Sequence, residues 1–455
     1  MILRAAFNMT LFLLWGSLHA SSGLPVVSGV TGIVKDPSGA AAARATVTLA
    51  NAAMNAMSAV ASNHAGVYPT AQAAPGANGF RIDCDFPGGN IIVDSIKGST
   101  VLLHQDLRDT EGDWFYWYFR VRGAAGRKLH FEFDRGKHVI GVRGPAVSLD
   151  SGHTWRWLGA ETARATSFSY AIPPDVQEVR FAVTIPYVES NLREFLDHYR
   201  NPAGLKVDTL CHTWRGRPVE LLHLGKLEGQ PDYRVLITAR HHACEAMASY
   251  SLEGTMAAIL ADSEDGAWFR THAEFLVVPF MDTDGVEDGD QGKDRRPHDH
   301  NRDYEGESIY ASVRTLRETI PRWSDGRLRF ALDMHDPWLY GPGHENIIFA
   351  GGTRDPRMRK QAEHFSAILE SIQSGPLVFS SKSRGWWVYE PDEAPPETDL
   401  PSFGTWAAGL PGIWLATTIE IPYANAGGNT VTPESARALG LDLARALRVY
   451  LMGGK

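Results

Sequence analysis

The sequence predicts an α/β protein: a mixed, mostly parallel sheet with helices on both faces, preceded by an all-β sandwich domain. Three observations predict it. Residues 191–455 alternate short apolar runs with longer helical patterns, the signature of a layered α/β domain. Residues 79–190 instead hold short alternating runs separated by Gly-containing breaks, the signature of a sandwich. The chain has 455 residues, more than one compact core accommodates.

The elements follow in chain order. Residues 1–22 are expected to be an export signal. Arg4 gives a positive start, Met9–Trp15 a short apolar run, and Ala20, Ser21 and Ser22 small residues for cleavage. The run is too short to anchor in a bilayer, and no Cys beside it suggests lipid attachment. An exported protein, periplasmic or secreted, is the expectation. Residues 25–76 are rich in Ala, Val, Thr, Ser and Gly, with strands expected at Val30–Val34, Ala45–Leu49 and around Asn63–Tyr68. Gly32-Ile33-Val34-Lys35-Asp36-Pro37-Ser38-Gly39 and Gly66-Val67-Tyr68 resemble the opening and close of the carboxypeptidase regulatory-like β-sandwich, whose last strands have no counterpart before Ala74-Pro75-Gly76. This stretch is a truncated module or an Ala-rich linker.

In residues 79–190, Asp113–Arg120 is expected to be an aromatic strand, and Lys128–Phe133 and Val179–Thr184 alternate with period two. The Trp and Tyr stripe has two readings, sandwich core or carbohydrate platform. In residues 191–455, helices are expected at Glu245–Leu260, Glu307–Ile320, Pro356–Ile372 and Pro433–Leu451. Strands are expected at Val219–Leu224, Tyr233–Ala239, Glu274–Phe280, Arg327–Met334, Asn346–Ala350 and Ile413–Ile419.

Composition narrows the function. Hydrophobic residues make up 44% and charged residues 21%, as in an ordinary globular protein. Net charge is −9, which gives no reason to expect a nucleic-acid partner. No segment after the N-terminus is apolar enough for a stable membrane span. The three cysteines, Cys84, Cys211 and Cys244, do not make a disulfide framework. Cys84 and Cys211 could pair, although free thiols are the simpler expectation. Oligomeric state leaves no mark on the sequence.

Chemistry concentrates in three places. His242 and Glu245 are three residues apart where the strand Tyr233–Ala239 passes into a helix, and His335 follows the apolar run Phe330–Met334. Two imidazoles and a carboxylate are the ligand set of a zinc ion that keeps one position open. His241, four residues from Glu245, rivals His242. Glu420 ends the buried strand Trp414–Ile419, where a carboxylate is costly unless paired or functional. Beside a zinc-activated water it suits a general base and then acid. The third place is Lys293–Tyr304, dense in charge, with Asn301-Arg302 offering a neutral donor beside a guanidinium fork.

Taken together, His242-x-x-Glu245, Asp284-Gly285, Asn301-Arg302, Asp333-x-His335 and Glu420 resemble the zinc metallocarboxypeptidases. The preceding sandwich, ending in Ile185-Pro186-Tyr187, resembles the N-terminal domain of the cytosolic-carboxypeptidase branch. The resemblance implies a carboxypeptidase-like fold and an enzyme hydrolysing C-terminal residues from peptides or proteins, with one zinc per chain. It implies His242, Glu245 and His335 as metal ligands and Asn301 and Arg302 as the grip on the substrate carboxylate. Glu420 would be the catalytic carboxylate. It also implies an upstream Arg that polarises the scissile carbonyl, for which Arg295 is the choice and Lys293 the rival. The family's Asn-Pro-Asp-Gly turn is Asp282-Thr283-Asp284-Gly285 here. Two other readings are a zinc amidohydrolase acting on N-acyl amino acids and a non-catalytic binding module.

Overall fold

The computed structural model describes residues 79–199, 204–341, 343–350, 355–382 and 400–453, with the backbone of 46–51 and 56–61. The expected export signal and the strands at Val30–Val34 and Asn63–Tyr68 lie outside the described residues. The chain divides into two compact units, Met1–Arg81 and Ile82–Lys455. In the first, Thr46–Asn51 and Ala56–Ala61 form an antiparallel hairpin. The second contains both the sandwich and the α/β sheet.

The sandwich has two five-stranded sheets. One carries Lys128–Phe133 and Ser167–Ala171, the other Tyr118–Arg122 and Glu178–Ala182. Alternation puts the aromatic side chains of these strands inward. Phe119, Phe131, Phe168 and Phe181 are at most 1% exposed, with Phe131 and Phe168 stacked at 4.7 Å. Trp114 to Tyr118 are buried too, so the aromatic stripe is core and not a sugar platform. The expected strand Asp113–Arg120 begins only at Tyr118. The reason lies in Gln291, whose amide takes both backbone groups of Tyr116: Tyr116 N–H donates to Gln291 Oε1 (2.7 Å), and Gln291 Nε2 donates to the Tyr116 carbonyl (2.9 Å). A side chain here replaces a neighbouring strand.

The sheet of the α/β part has seven strands among the described residues. In spatial order they are Leu205–His212, Pro218–Gly225, Ala273–Val278, Tyr233–Ala239, Leu328–His335, Leu415–Glu420 and Ile348–Ala350. Ala273–Val278 through Leu415–Glu420 run parallel, and the flanking strands pair antiparallel, giving the mixed, mostly parallel sheet expected. Leu205–His212 escaped sequence reading because it is an edge strand, largely exposed, without apolar alternation. Helices Ala246–Leu260 and Pro433–Gly453 pack against each other through glycines. A Cβ on Gly254 would meet the Arg437 carbonyl at 2.0 Å, and one on Gly440 the Ser251 carbonyl at 1.9 Å. Fourteen of the fifteen residues of Ala246–Leu260 are buried, which explains its nearly uniform apolar character. No described helix is long and apolar enough to cross a membrane.

None of the three cysteines forms a disulfide, so Cys84 and Cys211 are not joined to each other. Within the sandwich, the fully buried Asp83 holds Arg120 Nε and Arg122 Nη2, each at 2.7 Å. Burial opposes its charge, but the two guanidiniums outweigh burial and hold its carboxyl below the usual range. Its contribution is therefore complete above the unfolded carboxyl pKa of about 3.9 and fades as pH falls through the lower folded value. Asp83→Asn is expected to lower unfolding free energy by about 3 kcal/mol at pH 7 and by less at pH 3. Urea titrations at the two pH values measure this; equal losses at both would count against the ion pair.

Candidate metal centre

Sheet register gathers the site. Along the three adjacent parallel strands, Thr238 lies opposite Asp333 and His335 opposite Glu420, so their carboxyl ends finish at one edge. That edge is where open α/β sheets place ligands. The chain leaves Ala239 through Arg240, which has a positive φ of 59°, a strained conformation for a residue with a Cβ. Its buried guanidinium donates to the Ala243 carbonyl (2.5 Å), the Tyr187 carbonyl (3.0 Å) and Ser249 Oγ (3.0 Å). This bend turns His241 and His242 to different partners.

His242, Glu245 and His335 converge. His242 Nδ1 lies 3.0 Å from Glu245 Oε1, His335 Nδ1 lies 2.8 Å from Glu245 Oε2, and the two Nδ1 atoms are 3.1 Å apart. Ligand atoms of a tetrahedral zinc sit roughly 3.3 Å from one another, so a small outward movement suffices. The donor set of two imidazoles and one carboxylate fits that ion, with a position left for water. Glu245 is fully buried; burial opposes its charge, yet His242, Lys293 and His335 hold it well below the usual range. Burial likewise opposes a charged His335, and Asp333 and Glu245 overcome it and raise the imidazole well above its ordinary value. The same negative field favours a divalent cation over a proton.

His241 belongs to the surrounding layer. Its Nδ1 meets Asp333 Oδ1 at 2.8 Å and its Nε2 meets Tyr304 Oη at 2.7 Å, so both nitrogens are engaged away from the cluster. Asp333 also takes His335 Nε2 at 2.5 Å on its second oxygen and accepts from Thr238 Oγ1 (2.8 Å). It therefore fixes which His335 nitrogen faces the ligand cluster. Among the described residues, His241, Asp333 and His335 form a second grouping of donor atoms, and Asp94, His104 and Asp134 a third. The first of these shares its atoms with the bonds just described.

Around the centre lie the remaining residues named from sequence. Glu420 is partly exposed, but its Oε2 is buried without a hydrogen-bond partner. Burial pushes its carboxyl up, against the pull of His335 and Lys293. Asn301 sends Nδ2 to within 3.4 Å of His335 Nε2 and accepts from Phe403 N–H on Oδ1 (2.9 Å). Arg302 Nη1 donates to the Asn301 carbonyl (2.9 Å), and among the described residues it forms no ion pair with a carboxylate. Cys244 points elsewhere, with Sγ 3.8 Å from Tyr423 Oη.

Arg295 is the correction. It was expected to polarise a carbonyl, but its guanidinium is taken by Asp282 (2.6 Å), Asp109 (2.8 Å) and Asp290 (3.0 Å), and its side chain is 5% exposed. The rival Lys293 stands at the centre, its Nζ 2.5 Å from Glu245 Oε1. Burial works against that charge, but Glu245 and Glu420 outweigh burial and keep it protonated. Sequence could not decide between the two cations because both lie in one loop and only packing shows which one turns inward. Asp333 and Arg240 carried no sequence signal for their orienting roles beyond adjacency to the histidines.

Because Asp333 orients His335 from outside the His242, Glu245 and His335 grouping, Asp333→Asn is expected to keep the fold and weaken zinc binding by about 10- to 100-fold. Competition with a chromophoric chelator measures this. Unchanged affinity would remove Asp333 from the metal centre.

Comparison with known proteins places this geometry. The model of the family described as "Zinc carboxypeptidase" matches residues 192–320. The chain is 29% identical over 233 residues to cytosolic carboxypeptidase 3 of Bos taurus, covering 47% of this chain and 22% of the relative. It is 27% identical over 317 residues to cytosolic carboxypeptidase 2 of Xenopus tropicalis, covering 67% of this chain and 31% of the relative. The chain thus spans less than a third of the length of either. Among solved structures, the metallo-carboxypeptidase from Burkholderia cenocepacia superposes with a TM-score of 0.66 at 22% identity, covering 82% of this chain and 99% of that one. The metallo-carboxypeptidase from Pseudomonas aeruginosa, solved in complex with (2-guanidinoethylmercapto)succinic acid, gives 0.68 at 21% identity with the same coverage. These structures share the fold. Residues 192–320 thus match the zinc carboxypeptidase family model, and parts of the chain are similar to the cytosolic carboxypeptidases.

Proposed function

We propose that this protein is a zinc-dependent carboxypeptidase that removes C-terminal residues from peptides or proteins, using one zinc ion per chain. The observation that carries the reading is the meeting of His242, Glu245 and His335 beside an inward-facing ammonium and, among the described residues, an unpartnered buried carboxylate oxygen and a guanidinium outside any ion pair. His242, Glu245 and His335 would hold the zinc, which supplies Lewis acidity and an acidified water.

The other steps belong to the chain's own groups. Arg302 pairs with the terminal carboxylate of the substrate, a planar fork meeting a planar anion, and Asn301 Nδ2 donates beside it. This grip sets which peptide bond reaches the reacting groups. Lys293 donates to the carbonyl oxygen as negative charge grows there. Glu420 Oε2 accepts the proton of the attacking water, and the raised carboxyl then returns it to the departing amine. We also propose export to the periplasm or the medium, which rests on Arg4 and the apolar run Met9–Trp15. Fractionation tests export, with a mature N-terminus near Ser21 or Ser22 expected; recovery of Met1 from the cytosol would end that proposal.

Incubation with a pool of peptides and of N-acyl amino acids, read by mass spectrometry, tests the activity. Loss of single C-terminal residues is expected, abolished by a chelator and restored by zinc. Cleavage of the acyl amino acids alone would overturn the assignment. Glu420→Gln should lower kcat by at least about 100-fold with one zinc per chain retained. Lys293→Met should lower kcat by about 100- to 1,000-fold with KM little changed. Full turnover in either variant would remove that residue from the mechanism.

A further inference from the structure

We propose that Trp114, contributed by the β-sandwich, is a positioning residue for the reaction: its indole face confines the Lys293 ammonium where the scissile carbonyl oxygen arrives. The proposal rests on the role given to Lys293 above.

A lysine ammonium sits on a flexible stem and has no fixed direction of its own. Here it lies 2.5 Å from Glu245 Oε1, and with that carboxylate committed to a metal ion the ammonium would be free to turn toward Glu420 or out into water unless something else holds it. Lys293 Nζ lies 5.3 Å from the centroid of the Trp114 ring, within the reach of an ammonium–indole attraction. An aromatic face suits this task better than a third carboxylate. It attracts the cation but does not pair with it as an anion would, so the ammonium keeps its donating power for the substrate.

Trp114 is itself held on several sides. Its Nε1 donates to Asp294 Oδ2 (3.1 Å), and its carbonyl accepts from Gln105 Nε2 (2.8 Å). Trp338, three residues beyond His335, meets the ring edge-on at 4.6 Å. The loop that carries Lys293 is fastened to the same part of the sandwich. Asn90 Nδ2 donates to the Gly289 carbonyl (2.7 Å), Gln291 clamps Tyr116, and Glu111 N–H donates to the Asp294 carbonyl (3.1 Å). On its far side the loop touches the metal-ligand segment. Cys244 N–H donates to the Gln291 carbonyl (3.1 Å), and Gly292, with φ of 81°, has no room for a Cβ, which would lie 2.2 Å from Ala243 N. The sandwich thus fixes both the lysine's backbone and the wall behind its ammonium.

A core tryptophan is replaceable by any apolar side chain that fills its space; a cation-holding one needs an aromatic face. The test compares zinc-loaded Trp114→Phe and Trp114→Leu on the peptide cleaved fastest in the pool assay, with melting temperature and zinc content recorded. Trp114→Phe is expected to stay within about threefold of the parent kcat, and Trp114→Leu to lose about tenfold or more with KM unchanged. In a Lys293→Met background, Trp114→Leu is expected to add nothing. Parent-like kcat in Trp114→Leu, or the same fold-loss in both backgrounds, overturns the proposal. If Trp114→Leu does not fold, Trp114→Met takes its place. A silent Lys293→Met would instead remove the premise about Lys293, an outcome distinct from failure of the Trp114 link.

Discussion

The network joining Glu245 and Asp333 to His241, His242 and His335 is the constraint around which the rest of the molecule is organised. All of these groups are buried, and each carboxylate oxygen in the network meets an imidazole or hydroxyl partner. Buried charge is tolerated only when so paired, because the desolvation penalty of one orphaned ion is several kcal/mol. The network can form only if two strands end at the same level, and parallel pairing of Tyr233–Ala239 with Leu328–His335 ensures that they do, while Leu415–Glu420, parallel to the latter, brings Glu420 to the same edge. The strained Arg240 and the apolar, fully packed helix Ala246–Leu260 then set the segment between them. That helix starts beside Glu245, and its first free N–H groups are met by Asp336, which accepts from Met247 and Ala248 at 2.8 Å each.

The sandwich is not a separate attachment. Residues 88–116 supply hydrogen bonds to much of the loop from Glu287 to Arg296, and its core aromatic cluster gives those residues a rigid base. Two cations in that loop meet opposite fates. Arg295 is consumed in a cage of three aspartates that ties loop to sandwich, while Lys293 is turned toward the ligand carboxylate. One ties loop to sandwich and the other pairs with a carboxylate of the buried cluster, although their sequence context is nearly the same.

Much of the architecture was legible beforehand where a segment was strongly periodic or uniformly apolar. Pro356–Ile372 and Tyr233–Ala239 match their expected bounds, and Pro433–Gly453 differs only at its end. Elements whose signal depends on neighbours were not legible. The edge strand Leu205–His212 has little apolar face to betray it, and the short helix Thr283–Asp288 reads as a turn until Asp282 is seen to accept from Gly285 N–H. At the site, His242, Glu245 and His335 were nameable because ligand chemistry restricts residue type and strand ends restrict position.

By itself the sequence determined the alternation of strands and helices, the apolar cores and the residue types able to bind a metal, because these depend on local pattern and side-chain chemistry. Tertiary structure alone decided which of His241 and His242 faces the cluster, which of Lys293 and Arg295 reaches Glu245, and what lies behind that cation. Those choices depend on the direction of a side chain and on partners nearly two hundred residues away in the chain, as between Arg295 and Asp109, and no local pattern encodes either.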